Sequence, residues 1–182
     1  MQLTSMMEQF ILHWGEMGGR WGVNRSVAQI HALLYLAGKP MTADEITETL
    51  GMARSNVSSS LRELQGWELV RITHQLGDRR DYFEAAQDPW DIFMRIVAGR
   101  REREIEPTIE ALRACVNAKG EGKATDPAIA ARVQGMLSFI EQLDSWYAQM
   151  LRVPRPTLRK LIGMGASIVR LAPGGKRGAP KT

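Results

Sequence analysis

Residues 53–64, ARSNVSSSLREL, place four serines and an asparagine in a stretch whose apolar residues recur at helical spacing. With Val57 at zero and about 100° per residue, Leu61 and Leu64 fall within about 40° of it, so these three define a buried stripe. Ser55, Ser59 and Arg62 point the opposite way, Asn56 and Ser58 flank that outer face, and Arg54 stands at the helix start. Ser and Asn are each roughly 0.5 kcal/mol worse than Ala inside a helix, because their side chains compete for backbone hydrogen bonds. Something other than helix propensity selects them.

The flanking residues say what. Upstream, Thr42 and Glu45 form a capping box with Met41 and Ile46 at the staple positions, Ile46 and Leu50 face inward, and Gly51 closes that helix. Before it, RWGVNRSVAQIHALLYLAGKP (20–40) carries Val27, Ile30, Leu33, Leu34 and Ala37 on one helical face, stopped by Gly38 and Pro40. A first helix over 3–17 aligns Leu3, Met6, Met7, Phe10, Ile11 and Trp14 and is expected to end at Gly18-Gly19. Downstream, WELVRITHQL and RRDYFEA are two β-prone runs around Gly77-Asp78, a hairpin with Arg79 and Arg80 at or just past its tip. A capped helix, a short Gly-containing turn, a helix with small polar residues outward and a basic hairpin spell a winged helix-turn-helix. A helix lying in the major groove must bring its backbone close to base edges, which slim Ser and Asn side chains permit. Ser55, Asn56 and Ser59 are thus candidates for base-edge contact, with Ser58 nearer the side of the groove. Arg54 and Arg62 are placed to grip phosphates, and Arg79 and Arg80 to enter or hold the neighbouring minor groove.

Two longer helical regions follow. Asp88-Pro89 starts one, with Trp90, Phe93, Ile96 and Val97 on one side, and Pro107 restarts or kinks it before Ile109 and Leu112. After the polar loop NAKGEGKATDP, Asp126 caps a helix in which Ile129, Val133, Met136, Ile140, Leu143, Tyr147 and Met150 recur at 4-3-4-3-4-3. That is a heptad seam for packing helix on helix. A winged-helix core closes without it, so this stripe and that of residues 3–14 point to a homodimer, with recognition helices about 34 Å apart on DNA. The expected fold is mostly α with a small β-hairpin wing. It divides into an N-terminal packing and dimerisation helix (1–22), a DNA-binding domain (23–88), a helical dimerisation region (89–151) and a basic, partly disordered tail (152–182).

Charge is concentrated in that tail. The net charge is +4 overall, but the eight cations from Arg152 to Lys181 meet no acid, so residues 1–151 carry −4. The sequence pI near 9.5 therefore says little about the body. The tail segment RPTLRKLIGMGASIVRLA has helical apolar spacing between its basic residues, and docking on the body, on DNA flanks or on an anionic surface all remain open for it. The lone Cys115 and the absence of a signal pattern at the start suggest a reducing, cytoplasmic setting. No apolar run approaches the ~20 residues that span a bilayer, so no stable membrane insertion is expected. His13, His31 and His74 lie in different elements and read as surface or core-edge residues, and no nucleophile, phosphate loop or metal-ligand spacing is present. No enzyme, metal or cofactor is expected.

From about Gly15 to Arg113 the arrangement resembles the GbsR branch of the MarR-like transcriptional regulators. The stretches that carry the resemblance are GRWGVNRSVAQIHALLYL, MTADEITETLGMARSNVSSSLREL, GDRRDYFEA followed by DPWDIF, and REREIEPTIEALR. It implies a homodimer on a pseudo-palindromic operator in double-stranded DNA, with Arg54, Ser55, Asn56, Ser58 and Ser59 on the recognition helix and Arg79 and Arg80 on the wing. It also implies, in some members, a response to choline or related osmoprotectant precursors. Trp14, Trp21, Trp90, Trp146 and Tyr147 are the residues that would build an aromatic cage for such a quaternary ammonium effector; as plain packing residues they would need no ligand. The expected function is a ligand-responsive repressor. Its rivals are a winged-helix module that binds protein instead of DNA, and a nucleoid protein that binds nonspecifically through the tail.

Overall fold

The computed structural model describes residues 1–118 and 126–165. They form two compact units, Met1–Arg103 and one beginning at Glu104. The first is larger than the DNA-binding segment expected over 23–88, because the first helix and the helix after the wing pack into it.

In this unit α1 (Ser5–Arg20), capped by Thr4, lies on α2 (Arg25–Ala37), capped by Asn24. Gly18 and Gly19 do not end α1, as the sequence suggested; the helix runs through them and stops at Trp21, with Gly22 at φ 77°. Gly18 is instead a packing residue: a Cβ there would stand 2.5 Å from the Ala28 Cβ. Glycine at this position lets the two helices touch.

Strand β1 (Met41–Thr42) leads directly into α3 (Ala43–Leu50), and the full capping box is present: Thr42 Oγ1 accepts from the Glu45 N–H at 3.3 Å while Glu45 Oε2 accepts from the Thr42 N–H at 2.7 Å. The bond from the Thr42 backbone, joined by one from the Thr42 hydroxyl to the same oxygen at 3.0 Å, holds the Glu45 carboxyl below its ordinary value. Gly51, at φ 62°, ends α3 and the chain turns into α4 (Arg54–Gly66). Strands β2 (Val70–Thr73) and β3 (Tyr82–Ala85) form the wing, and β1 adds antiparallel to β3, giving the order β1-β3-β2 with Ile72 opposite Phe83. This is a winged helix-turn-helix. Its core is Ile30, Leu33, Leu34, Ile46, Val57, Leu61 and Leu64, all nearly inaccessible, so α2, α3 and α4 meet along the predicted stripes.

His31 also lies in this core, 4% exposed, rather than at the surface or core edge. Its Nε2 has no hydrogen-bond partner, and burial lowers its pKa to about 4. Helix α5 (Pro89–Arg100) begins at Asp88, whose carboxylate accepts from the Trp90 N–H at 2.9 Å. It buries Ile92 and half-buries Ile96 and Val97, whereas Phe93, expected on the packed side, is exposed. Arg95 donates to the Glu68 carbonyl, and Arg103 donates to that of Gly66 while its guanidinium stacks 4.1 Å from the centre of the Trp67 ring. Arg103 thus satisfies a carbonyl left open at the end of α4 and Arg95 one two residues beyond it, a favourable placement for positive charge at a helix C-terminus.

A π-helical turn (Arg101–Ile105) precedes α6 (Glu106–Asn117), which carries Pro107 in its first turn. Proline has no N–H to continue an α-helical ladder, which accounts for the predicted break there. In the second unit α6 packs on α7 (Pro127–Leu151), capped by Asp126, and Arg113 pairs with Glu141 at 2.7 Å. The exposed Cys115 lies on α6. A basic helix, α8 (Arg155–Met164), follows. Most of the predicted polar loop and the tail beyond residue 165 lie outside the described residues.

Candidate nucleic-acid interface

Helix α4 turns its two faces to different tasks. Ser55, Ser58, Ser59 and Arg62 are exposed on it, as predicted, and Ser59 donates to the Asn56 carbonyl at 3.0 Å, which keeps its side chain short against the helix. Arg54 stands exposed at the first position and pairs with the exposed carboxylate of Asp44 on α3. Ala53 supplies no side-chain cap.

Asn56 departs from its expected place on the outer face. It is half-buried; its Nδ2 donates to Ser26 Oγ on α2 at 2.9 Å, and its Oδ1 accepts from Ser60 at 3.4 Å. Ser60 itself is 2% exposed. Of the five small polar residues, Asn56 therefore braces α4 against α2, Ser60 supports Asn56 from within α4, and three face outward. Ser60 sits only about 60° from Val57 on a helical wheel, so its inward direction was available in the spacing. That Ser26 would meet Asn56 was not, since the two are thirty residues apart.

The wing arginines also differ from one another. Arg80 is folded back: its Nη2 reaches Asp78 Oδ2 at 2.6 Å and Tyr82 Oη at 3.0 Å, its backbone N–H reaches Asp78 Oδ1 at 2.9 Å, and its guanidinium lies 5.6 Å from the centre of the Tyr82 ring. Tyr82 in turn donates to Asp78 Oδ2 at 2.8 Å. The hydrogen bonds from Arg80 hold the Asp78 carboxyl far below the usual carboxylate range, and the same bonds push the Arg80 guanidinium above its own. The bond to Asp78 raises the Tyr82 phenol. The triad stays Asp⁻, Arg⁺ and neutral Tyr across the range in which proteins fold. Arg79 is exposed and, like Arg62, has no hydrogen-bond or ion-pair partner among the described residues. Between the start of α3, the face of α4 and the wing runs an open groove of about 320 Å³, lined in part by Thr42, Arg54, Ser58, Arg62, Ile72 and Arg80. Slim hydroxyls, guanidinium groups on either side and an open furrow make a surface suited to a polyanion with groups to read.

The proposed cage residues are only partly gathered. Trp14 meets Trp21 edge-on at 6.2 Å and stacks on Phe10 at 5.5 Å, whereas Trp90 pairs with Phe93 at 6.1 Å. Trp146, exposed, and Tyr147, whose buried hydroxyl has no partner, belong to the second unit. Among the described residues no cluster of His, Cys, Asp and Glu could hold a metal ion, and no helix is long and apolar enough to cross a membrane.

Residues 21–81, from the end of α1 to the wing, match the MarR family. That match covers about a third of the chain. The chain is 29% identical over 92 residues to the HTH-type transcriptional repressor GbsR of Bacillus subtilis (strain 168), an alignment of 50% of this chain and 51% of GbsR. The HTH-type transcriptional repressor OpcR of the same organism is 27% identical over 78 residues, 43% of this chain and 42% of OpcR. The chain thus spans about half the length, or less, of these relatives. A crystal structure of a transcriptional regulator covers 80% of this chain and 95% of its own with a TM-score of 0.64 at 19% identity, a likeness of fold.

Proposed function

We propose that this protein is a sequence-specific DNA-binding transcriptional regulator, a ligand-responsive repressor that binds a pseudo-palindromic operator as a homodimer in the cytoplasm and has no enzymatic activity. The observation that carries the reading is the outward ridge of Ser55, Ser58 and Ser59 on α4, set between the exposed cations Arg54, Arg62 and Arg79, on a MarR domain whose two relatives above are named as repressors. In this reading the three serines approach base edges, Arg54, Arg62 and Arg79 hold phosphates or the minor groove, and Asn56 and Arg80 act by bracing the helix and the wing. Homodimerisation is supported by α7. Helix α6 covers its Leu137 side, while Met136, Phe139, Leu143 and Trp146, at 3-4-3 spacing, are each at least half exposed. An effector of quaternary ammonium type would be drawn by cation–π attraction to Trp14 and Trp21, the two proposed cage residues whose rings meet.

The test is selection of a duplex from a random pool by the full chain, followed by gel retardation. Retention of one palindromic sequence, lost in Ser59→Glu and reduced by choline, supports each part in turn. No retention even at low salt would instead favour a winged-helix module that binds protein.

A further inference from the structure

The wing presents a residue that neither charge nor fold requires. Leu76 is 108% exposed, more than in an extended chain, and its side chain packs on nothing. It stands at the outer corner of a tight turn: the Asp78 N–H donates to the Gln75 carbonyl at 3.1 Å, and Gly77 takes φ 83°. A positive φ at the third residue of a hydrogen-bonded turn is the mark of type II, whose second residue, here Leu76, projects from the bend. Directly behind the turn the Asp78–Arg80–Tyr82 network fixes the chain by five side-chain hydrogen bonds and a backbone one. The leucine is therefore offered outward on a stiff support. The fold would be served as well by a polar residue.

Arg80, folded back on Asp78, is not the side chain that extends from this wing; Arg79 and Leu76 are. The minor groove of B-DNA is about 6 Å wide and 7.5 Å deep, and proteins that enter it use leucine and other apolar side chains against its walls or between base steps. A tight turn with one aliphatic tip and, three residues on, an exposed guanidinium suits a narrow, electronegative groove. We propose that Leu76 is the wing's groove contact, an apolar tip seated in the minor groove beside the recognition-helix site while Arg79 holds the backbone at its rim. The inference rests on the DNA-binding reading above and adds to it a non-electrostatic contact that responds to groove width.

The full chain and a duplex it selects from a random pool provide the test, with affinity measured across a salt series for wild type, Leu76→Ala, Leu76→Met and Arg79→Ala. Leu76→Ala is expected to bind about tenfold more weakly with an unchanged slope of log K against log salt, to melt like wild type, and to lose hydroxyl-radical protection of the minor-groove sugars beneath the wing. Leu76→Met, which keeps an apolar tip, retains most of the affinity, and Arg79→Ala lowers the slope by about 0.9, the effect of one phosphate contact. Equal affinity of Leu76→Ala and wild type, or a loss that comes with a fall in slope, overturns the inference and leaves DNA binding standing. Failure of the wild-type chain to select any duplex removes both.

Discussion

Ser59 and Arg62 stand one turn apart on the same exposed side of α4, and they test different halves of the proposed interface. Placing a carboxylate at position 59 sets like charge against DNA, which costs several kcal/mol across an interface. Ser59→Glu is expected to lower operator affinity at least about 100-fold with no change in the urea midpoint of unfolding, the position being exposed. Arg62→Ala removes one free cation and should lower the log–log salt slope by about 0.9 while preserving the ranking of operator variants. His31 makes a prediction of another kind. In the unfolded chain its imidazole takes up a proton near pH 6.5, but in the core only near 4, so the unfolded state binds more protons between those values. Stability is complete above pH 7 and falls as the pH drops from about 6.5 to 4, by about 3 kcal/mol. Denaturant midpoints measured over that range should slide for wild type and flatten in His31→Phe; equal slopes in both would refute the assignment.

Among the helices and strands, what the chain encodes locally could be read from it and what depends on distant partners could not. The capping box at Thr42, the left-handed Gly51 and the Val57–Leu61–Leu64 stripe each lie within a few residues, and all three are where the spacing placed them. Strand β1 escaped notice because two residues carry no periodicity and become a strand only by pairing with Tyr82 and Phe83. The end of α1 was misjudged for a related reason. Glycine marks both helix stops and close helix contacts, and only the Ala28 methyl beneath Gly18 distinguishes the two. The direction of Asn56 likewise depends on Ser26, thirty residues away, whereas that of Arg80 is set locally, by a carboxylate two residues before it and a phenol two residues after. The α1–α2 contact can be tested directly. Gly18→Val should cost about 1–3 kcal/mol by overpacking, read as a lowered urea midpoint, and Ala28→Gly in the same chain should restore much of it. An unshifted midpoint would mean the helices separate there without penalty.

For the molecule as a whole, the proposed homodimer turns on α7. Its heptad positions divide between two coverings: Val133, Ile140 and Tyr147 lie partly buried within the chain, whereas Ile129, Met136 and Leu143 are half exposed. Leu143→Lys is expected to convert a dimer to a monomer by analytical ultracentrifugation, with melting little changed, and to leave binding to a single half-site while abolishing tight binding to the palindrome. A dimer that survives both this change and Phe139→Asp would move the interface to another surface. The exposed sulfur on α6 makes such questions approachable in real time. As the chain's one cysteine, Cys115 accepts a maleimide dye at a single defined place without mutagenesis. In a two-fold assembly mixed from donor- and acceptor-labelled chains, the pair becomes a molecular ruler that follows subunit exchange, and any rearrangement on adding operator or amine, by energy transfer.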